Sequence, residues 1–187
     1  KILVNRKLIE NGYSEIQGTL GSGGEGEVYL VKNASQQERA IKCFNSNIHF
    51  TRLIRLQKCK HVVAPIECFE ADKNLYIYVM KKGDPPTKSI SARKMILVLL
   101  AGIMELKENG LVQYDGFKNN VLVVGGNVAI SDFSSFKEQP VILNKEINKM
   151  LEYVRSKWNI SKLTKALKGQ TLDNSESFKN LVETLLP

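Results

Sequence analysis

A cluster of residues that break helices and strands, Lys81-Lys-Gly-Asp-Pro-Pro86, divides this chain of 187 residues into two unlike halves. Before the cluster, short runs of β-branched and aromatic residues alternate with polar turns, which is typical of an antiparallel sheet. After it, apolar residues recur with the spacing of helices. We therefore expect a β-rich part over about residues 1–80, a connection over about 81–86 and a mainly helical part over about 87–187.

Each half contains several predicted elements, and together they predict an α+β fold. The longest helix is apolar on all sides, which predicts a central, buried position, with Ser91 as its N-cap and Gly110 just after its end. The predicted strands are Glu15–Leu20, Glu27–Val31, Glu38–Phe44, Val62–Phe69 and Leu75–Met80, with a later hairpin of Val121–Val124 and Val128–Ile130. The predicted helices are Ser91–Asn109, Ile142–Trp158, Lys162–Lys168 and Ser175–Leu186.

Charge and cysteine content narrow the class of protein. The 27 lysines and arginines exceed the 19 acidic residues, giving a net charge of +8, but the cations are scattered as on a solvated surface. We therefore expect no nucleic-acid partner. Three cysteines, Cys43, Cys59 and Cys68, predict reduced, buried thiols in an intracellular protein. The longest apolar run, Met95–Met104, falls far short of the roughly 20 residues that span a bilayer, so no transmembrane segment is expected.

The first candidate site is a glycine-rich turn between the first two predicted strands. Gly21, Gly23 and Gly26, followed by Val28, form the pattern G-x-G-x-x-G-x-V. Glycine lets backbone N–H groups approach phosphate oxygens where a side chain would clash. The glycines are followed by a strand and not by a helix, which argues against a dinucleotide-binding fingerprint. Taken alone, the motif is equally compatible with a flexible hairpin tip.

The second candidate is Lys42, which ends the run Ala40-Ile41-Lys42 in the next predicted strand, fourteen residues after Val28. A lysine at the edge of a sheet is usually a solvated surface residue. Here the side chain is expected to point inward, because it stands between Ile41 and Phe44. An inward ammonium group close to a glycine-rich turn is suited to binding phosphate.

The third candidate group lies in the helical half. Asp115 and Asn120 have the spacing D-x-x-x-x-N and precede an apolar run. Asp132, seventeen residues after Asp115, stands in Ser131-Asp-Phe-Ser134. One carboxylate can accept the proton of a substrate hydroxyl, while a second carboxylate and a carboxamide oxygen can hold Mg²⁺.

In this order, the motifs resemble those of the protein kinase superfamily from about Ile16 to Ser134. The resemblance implies a bilobal kinase-like fold in one minimal domain, with a β-rich N-lobe and a reduced helical C-lobe. It also implies transfer of the γ-phosphate of ATP, with Mg²⁺, to a protein hydroxyl, serine or threonine being favoured. The implied roles are base for Asp115, phosphate binding for Lys42, Mg²⁺ binding for Asn120 and Asp132, and nucleotide binding for Gly21, Gly23, Gly26, Val28, Ala40, Val79, Met80 and Lys82.

The chain also departs from the kinase pattern. No acidic residue occurs between Cys43 and Ile66, so the usual glutamate partner of the strand lysine has no candidate. Gln113 and Tyr114 replace the histidine and arginine of the H-R-D motif, and no A-P-E motif follows. These losses are similar to those of minimal viral kinases and of secreted bacterial effector kinases of the OspG/NleH type. That likeness implies secretion into a host cytoplasm, a host chaperone or ubiquitin-system protein as substrate, and an activating partner.

Two other classes remain open. A pseudokinase would keep the fold as a binding module without catalysis, and the lost motifs are compatible with one. Against it, Lys42, Asp115, Asn120 and Asp132 are all present together. A small-molecule phosphotransferase, similar to the aminoglycoside and choline kinases, would share the D-x-x-x-x-N loop but needs a large helical insert for its substrate. This chain has no room for such an insert.

The residue Tyr114 predicts that activity does not depend on phosphorylation of the chain's own activation segment. A phosphate there acts by pairing with an arginine, and this position has none. We expect phosphatase-treated protein to transfer label from γ-labelled ATP as fast as untreated protein. A rise in both samples with host-cell extract would indicate an activating partner, whereas activity lost on dephosphorylation of Ser134 or Ser135 would contradict the prediction.

Overall fold

The computed structural model describes residues 2–23, 26–45, 50–131 and 136–187. Over these ranges the protein is a mixed α+β structure that contains a five-stranded antiparallel sheet and six α-helices. The chain divides into two compact units. The first comprises Lys1–Lys58 and Val63–Gly83, and the second comprises Cys59–Val62 and Asp84–Pro187.

The first unit is built on the five-stranded sheet, whose strand order is β1-β2-β3-β5-β4. All neighbouring strands are antiparallel, as short polar connections between successive strands favour. The strands are β1 (Gly18–Gly23), β2 (Gly26–Lys32), β3 (Glu38–Phe44), β4 (Pro65–Asp72) and β5 (Leu75–Lys81). A short helix, α2 (Phe50–Leu53), and a 3-10 turn, Ile54–Lys58, lie between β3 and β4.

A helix that the sequence analysis missed, α1 (Ile2–Glu10), covers one face of this sheet. Its buried residues Val4 and Leu8 are four positions apart and pack with Ile41 and other apolar residues of the sheet. Arg6 and Lys7 also form ion pairs with Glu10 on its exposed side. No helix was predicted at the start of the chain, so the predicted order of elements is wrong there.

Strand β3 begins and ends at the predicted residues, whereas β1 and β4 begin three residues later than predicted. The displacement of β4 has a clear cause, because residues 59–62 belong to the second unit. The backbone N–H groups of Lys60 and His61 donate to the carboxylate of Glu105, and the carbonyl of His61 accepts from Ile130. These tertiary hydrogen bonds remove the segment from the sheet.

The second unit surrounds a central helix, α3 (Ala92–Glu108), and the predicted position of this helix is confirmed. The side chain of Ser91 accepts from the N–H of Lys94, and Gly110 follows the helix with a positive φ of 69°. The pairing of β6 with β9 was not predicted. The other elements are β6 (Leu111–Gln113), β7 (Val121–Val124), β8 (Asn127–Ile130), β9 (Phe136–Glu138), α4 (Leu143–Arg155), α5 (Ser161–Ala166) and α6 (Ser175–Leu185).

The three cysteines are free thiols, as predicted, but they are half-buried and not buried. Partial burial raises the pKa of Cys59 and that of Cys68 to about 11, because desolvation disfavours the thiolate. Both side chains are therefore protonated at neutral pH. Within the described ranges, no helix combines the length and the apolar character needed to cross a membrane.

Close packing at Gly102 of α3 generates a stability prediction. A Cβ atom at this position would lie 2.8 Å from both the backbone oxygen of His61 and a side-chain carbon of Ile130. We expect Gly102→Ala to destabilise the protein by about 1–2 kcal/mol, because overpacking outweighs the gain in helix propensity. Denaturant unfolding of this variant and of Gly18→Ala, whose Cβ would meet open space, measures the difference. Equal stability of the two variants would contradict this packing.

Candidate functional site

Four of the predicted nucleotide-binding residues lie on one face of the five-stranded sheet. Val28 pairs with Lys42, and Ala40 pairs with Met80. Cross-strand partners share a face, and so do residues two positions apart on a strand. The register therefore brings Val28, Ala40, Lys42 and Met80 together on the face opposite to α1.

Val79 is not part of this group. It pairs with Ile41, is fully buried, and belongs to the core cluster that includes Leu8 of α1. The alternation of side chains along β5 therefore turns Val79 away from Lys42 and towards α1. The expectation that Val79 lines the same site as Ala40 is not met, and Met80 is the residue of β5 that shares the face of Ala40.

The surroundings of Lys42 are aromatic. Its side chain is largely buried, with 8% exposure, although lysine is seldom buried without favourable contacts. The ammonium nitrogen lies 5.1 Å from the centroid of the Phe44 ring, within the range of a cation–π contact. The ring of Phe44 packs edge-to-face on Tyr78, the cross-strand partner of Lys42. Phe44 stands near the start of the stretch from Cys43 to Ile66, which contains no acidic residue.

The glycine motif occupies the hairpin of β1 and β2. Gly21 pairs with Val28, and Gly23 pairs with Gly26 at the end of the described ladder. Gly26 has a φ of +114°, a conformation that L side chains rarely adopt, and a Cβ at Gly21 or Gly26 would meet open space. Backbone exposed in this way is suited to approach by phosphate. The motif residues 24 and 25 lie outside the described residues.

Lys82, the last predicted nucleotide-binding residue, follows β5. Its ammonium nitrogen lies 3.0 Å from a carboxylate oxygen of Glu38 at the start of β3. This ion pair fixes the side chain against the sheet. The ammonium group of Lys82 is therefore paired with Glu38, and the backbone of Lys82 is the part suited to contact a ligand.

In the second unit, Asp115 stands on a loop that follows β6. Its side chain is exposed, which suits a group that meets a substrate. The loop turns sharply, with positive φ angles of 79° at Gly116 and 64° at Asn119. Tyr114, beside Asp115, is also exposed. The loop therefore presents Asp115 to solvent from a compact turn.

The other end of this loop, Asn120, is fixed by three hydrogen bonds. Its backbone N–H donates to Phe117, its side-chain nitrogen donates to the carbonyl of Gly116 at 3.0 Å, and its carbonyl accepts from the N–H of Ser131 at 2.8 Å. Because the carboxamide nitrogen is used within the loop, the carboxamide oxygen is left as the group for a cation. This arrangement fits an oxygen ligand of Mg²⁺.

Asp132 follows Ser131 directly in the sequence. The predicted roles of Asp132 itself lie outside the described residues. Over the described ranges, no cluster of three or more histidine, cysteine or acidic residues is arranged to hold a metal ion.

Sequence reasoning treated Gln113 only as a replacement for histidine, but the structure gives it a clear role. The side chain is 1% exposed and bridges two chain segments. Its nitrogen donates to the carbonyl of Ser131 at 3.1 Å, and its oxygen accepts from the N–H of Asp115 at 3.2 Å. Gln113 thus ties the backbone of Asp115 to the residue before Asp132. The only signal in the sequence was a polar residue closing the apolar run Leu111–Val112.

A second missed feature is a charged pair on α4. Lys149 lies 2.9 Å from a carboxylate oxygen of Glu146 and donates to the carbonyl of Gln113, also at 2.9 Å. Glu146 is 4% exposed. The two residues are one helical turn apart, a spacing common on exposed helices, so the burial of Glu146 could not be predicted from the spacing.

Comparison with protein-family models found no match for this chain, and comparison with curated proteins found none. Two groups of residues described above therefore carry the functional inference. One group is the face of the sheet around Lys42, and the other is the loop from Gln113 to Asn120 with Ser131.

The two hydrogen bonds of the Gln113 side chain generate a prediction. We expect Gln113→Met, which keeps the volume but removes both bonds, to lower the free energy of unfolding by about 1–3 kcal/mol because buried backbone groups lose their partners. Denaturant unfolding measures this loss. As a matched control, Gln170→Met alters an exposed glutamine and should change stability by less than about 0.5 kcal/mol. Similar values for both variants would contradict the bridging role.

Proposed function

We propose that this chain is an ATP- and Mg²⁺-dependent protein kinase, with the first unit as the N-lobe and the second as the C-lobe of a bilobal kinase-like fold. The observation that carries the proposal is the tie through Gln113 and Asn120 between the loop of Asp115 and Ser131. At this tie the D-x-x-x-x-N loop meets Ser131, the residue that precedes Asp132 in the sequence. Phosphoryl transfer needs such a meeting, since base and metal ligands act on one phosphate.

The first unit supports the nucleotide-binding part of the proposal. Lys42 would bind phosphate oxygens with its ammonium group, and the glycine hairpin would offer backbone N–H donors. Ala40 and Met80, both largely buried on the face of Lys42, would contribute apolar surface for the adenine ring. Phe44 would limit the motion of the Lys42 side chain through its ring contact.

The second unit supports the transfer step. Asp115 would accept the proton of the substrate hydroxyl as the hydroxyl oxygen bonds to the γ-phosphorus and the bond to the ADP oxygen breaks. Asn120 and Asp132 would hold Mg²⁺, which neutralises charge on the phosphates when bound. Exposure of Asp115 fits a protein substrate, because a large partner must bring its hydroxyl to the loop.

A pseudokinase is the second candidate function, and one observation favours it. The sequence contains no acidic residue between Cys43 and Ile66, where the kinase pattern has its glutamate, and no A-P-E motif follows Asp132. Binding of ATP without transfer would then be the activity. The pattern of lost motifs further leads us to propose a pathogen effector that acts on a host protein and is assisted by an activating partner.

Incubation with Mg²⁺ and γ-labelled ATP, with and without generic protein substrates, tests the proposal. We expect label on protein serine or threonine. Binding of ATP without labelled product would identify a pseudokinase, and label on small molecules alone would identify a small-molecule phosphotransferase. A protein that neither binds ATP nor transfers phosphate would refute all three.

The assigned roles predict the effects of single substitutions. We expect Asp115→Ala and Asp132→Ala each to lower the transfer rate by at least about a hundredfold, because one removes the base and the other a metal ligand. Asp132→Ala should also weaken Mg²⁺-dependent ATP binding. Steady-state rates measure the losses, with Asp173→Ala as the control for an exposed aspartate of the same unit. Near-wild-type activity of either Asp115→Ala or Asp132→Ala would contradict the assignment.

A further inference from the structure

Helix α4 carries a buried carboxylate that the proposed transfer step does not use. Glu146 is 4% exposed, although it stands in the first turn of an otherwise amphipathic helix. A position near a helix N-terminus favours a carboxylate, but this effect does not require burial. Burial of a charged group is costly unless the group is paired. The partner of Glu146 therefore shows what the burial achieves.

That partner is Lys149, whose ammonium group makes two contacts of 2.9 Å. One joins it to an oxygen of Glu146, and the other is a hydrogen bond to the backbone carbonyl of Gln113. The Lys149 side chain is 22% exposed, so its charge is only partly solvated. The ion pair thus directs one of the ammonium's three donors at the last residue of β6.

Gln113 is also the residue whose side chain bridges the N–H of Asp115 and the carbonyl of Ser131. The backbone carbonyl of Gln113 therefore accepts from Lys149 of α4, while its side-chain oxygen accepts from the N–H of Asp115 in the loop. From this continuous set of hydrogen bonds we infer that Lys149, oriented by Glu146, is a positioning residue for the loop that carries Asp115. The inference deepens the proposed function and rests on it for its effect on catalysis.

The geometry accounts for a fixed loop without a phosphate or an arginine. Tyr114, where the kinase pattern has arginine, points its ring into solvent with 57% exposure and cannot provide such an anchor. Lys149 instead contacts this stretch of backbone at the carbonyl of Gln113, one residue before Tyr114. The loop is held from inside the second unit, so its order does not require a modified activation segment.

Amide hydrogen exchange in the full-length protein tests the structural part of this inference. Lys149→Met removes the ammonium and keeps most of the side chain's apolar length. We expect exchange over residues 111–120 to rise at least about tenfold, while exchange in α3 stays close to wild type. The control, Lys145→Met, alters an exposed lysine of the same helix and should change neither region. Unchanged exchange over 111–120, or an equal rise in both regions, would overturn the inference.

A second variant separates loss of the hydrogen bond from exposure of an unpaired charge. The double variant Glu146→Gln/Lys149→Met leaves no buried carboxylate without its partner, but the carbonyl of Gln113 still loses its donor. We expect exchange over 111–120 to stay raised in this variant. A return to the wild-type exchange rate would show that only charge burial mattered and would overturn the positioning role.

Kinetics give the catalytic part of the test. With transfer from γ-labelled ATP, Lys149→Met should lower kcat at least about tenfold and leave the KM for ATP within about twofold, because the loop orients the hydroxyl and does not bind nucleotide. An equal change in both constants, or no change in kcat, would contradict a positioning role. If wild-type protein transfers no phosphate, the proposed function fails, while the exchange measurements still decide whether Lys149 positions the loop.

Discussion

The candidate site depends on one buried amide, that of Gln113. Its two side-chain hydrogen bonds join the backbone of Asp115 to the backbone of Ser131, the residue before Asp132. Asp115 and Asp132 are seventeen residues apart in the sequence. A carboxamide can do this because it has both a donor and an acceptor on one planar group. Burial strengthens the bond to Ser131, whereas the bond to the N–H of Asp115 is partly buried. Without this link, the loop would be joined to Ser131 only at its other end, through the carbonyl of Asn120.

In the first unit, the charged side chain of Lys42 is largely buried. The sheet places Lys42 on a largely covered face where the side chains of Phe44 and Tyr78 meet. Aromatic rings accept a cation on their faces with a smaller desolvation cost than aliphatic side chains impose. The contact with Phe44 therefore offsets part of the cost of burying the ammonium group of Lys42.

Much of the fold could be predicted from local sequence patterns. The breaker at residues 81–86 contains the point where the two units part, and the limits of β3 and α3 follow from β propensity and from the cap at Ser91. Helix α1 was harder to predict, because its two buried residues, Val4 and Leu8, are identified as a buried face only by their packing against the sheet. The departure of residues 59–62 from β4 depends on Glu105, more than forty residues away.

The sequence by itself determined the chemistry of the site, because residue types and spacing assign donors, acceptors and charges to Lys42, Asp115, Asn120 and Asp132. Only the tertiary structure decided which side chains act together. The strand register turned Val79 into the core and put Met80 beside Ala40. Packing of α4 likewise carried Lys149 to the carbonyl of Gln113. Such pairings depend on contacts between distant segments, and local spacing contains no information about where those segments meet.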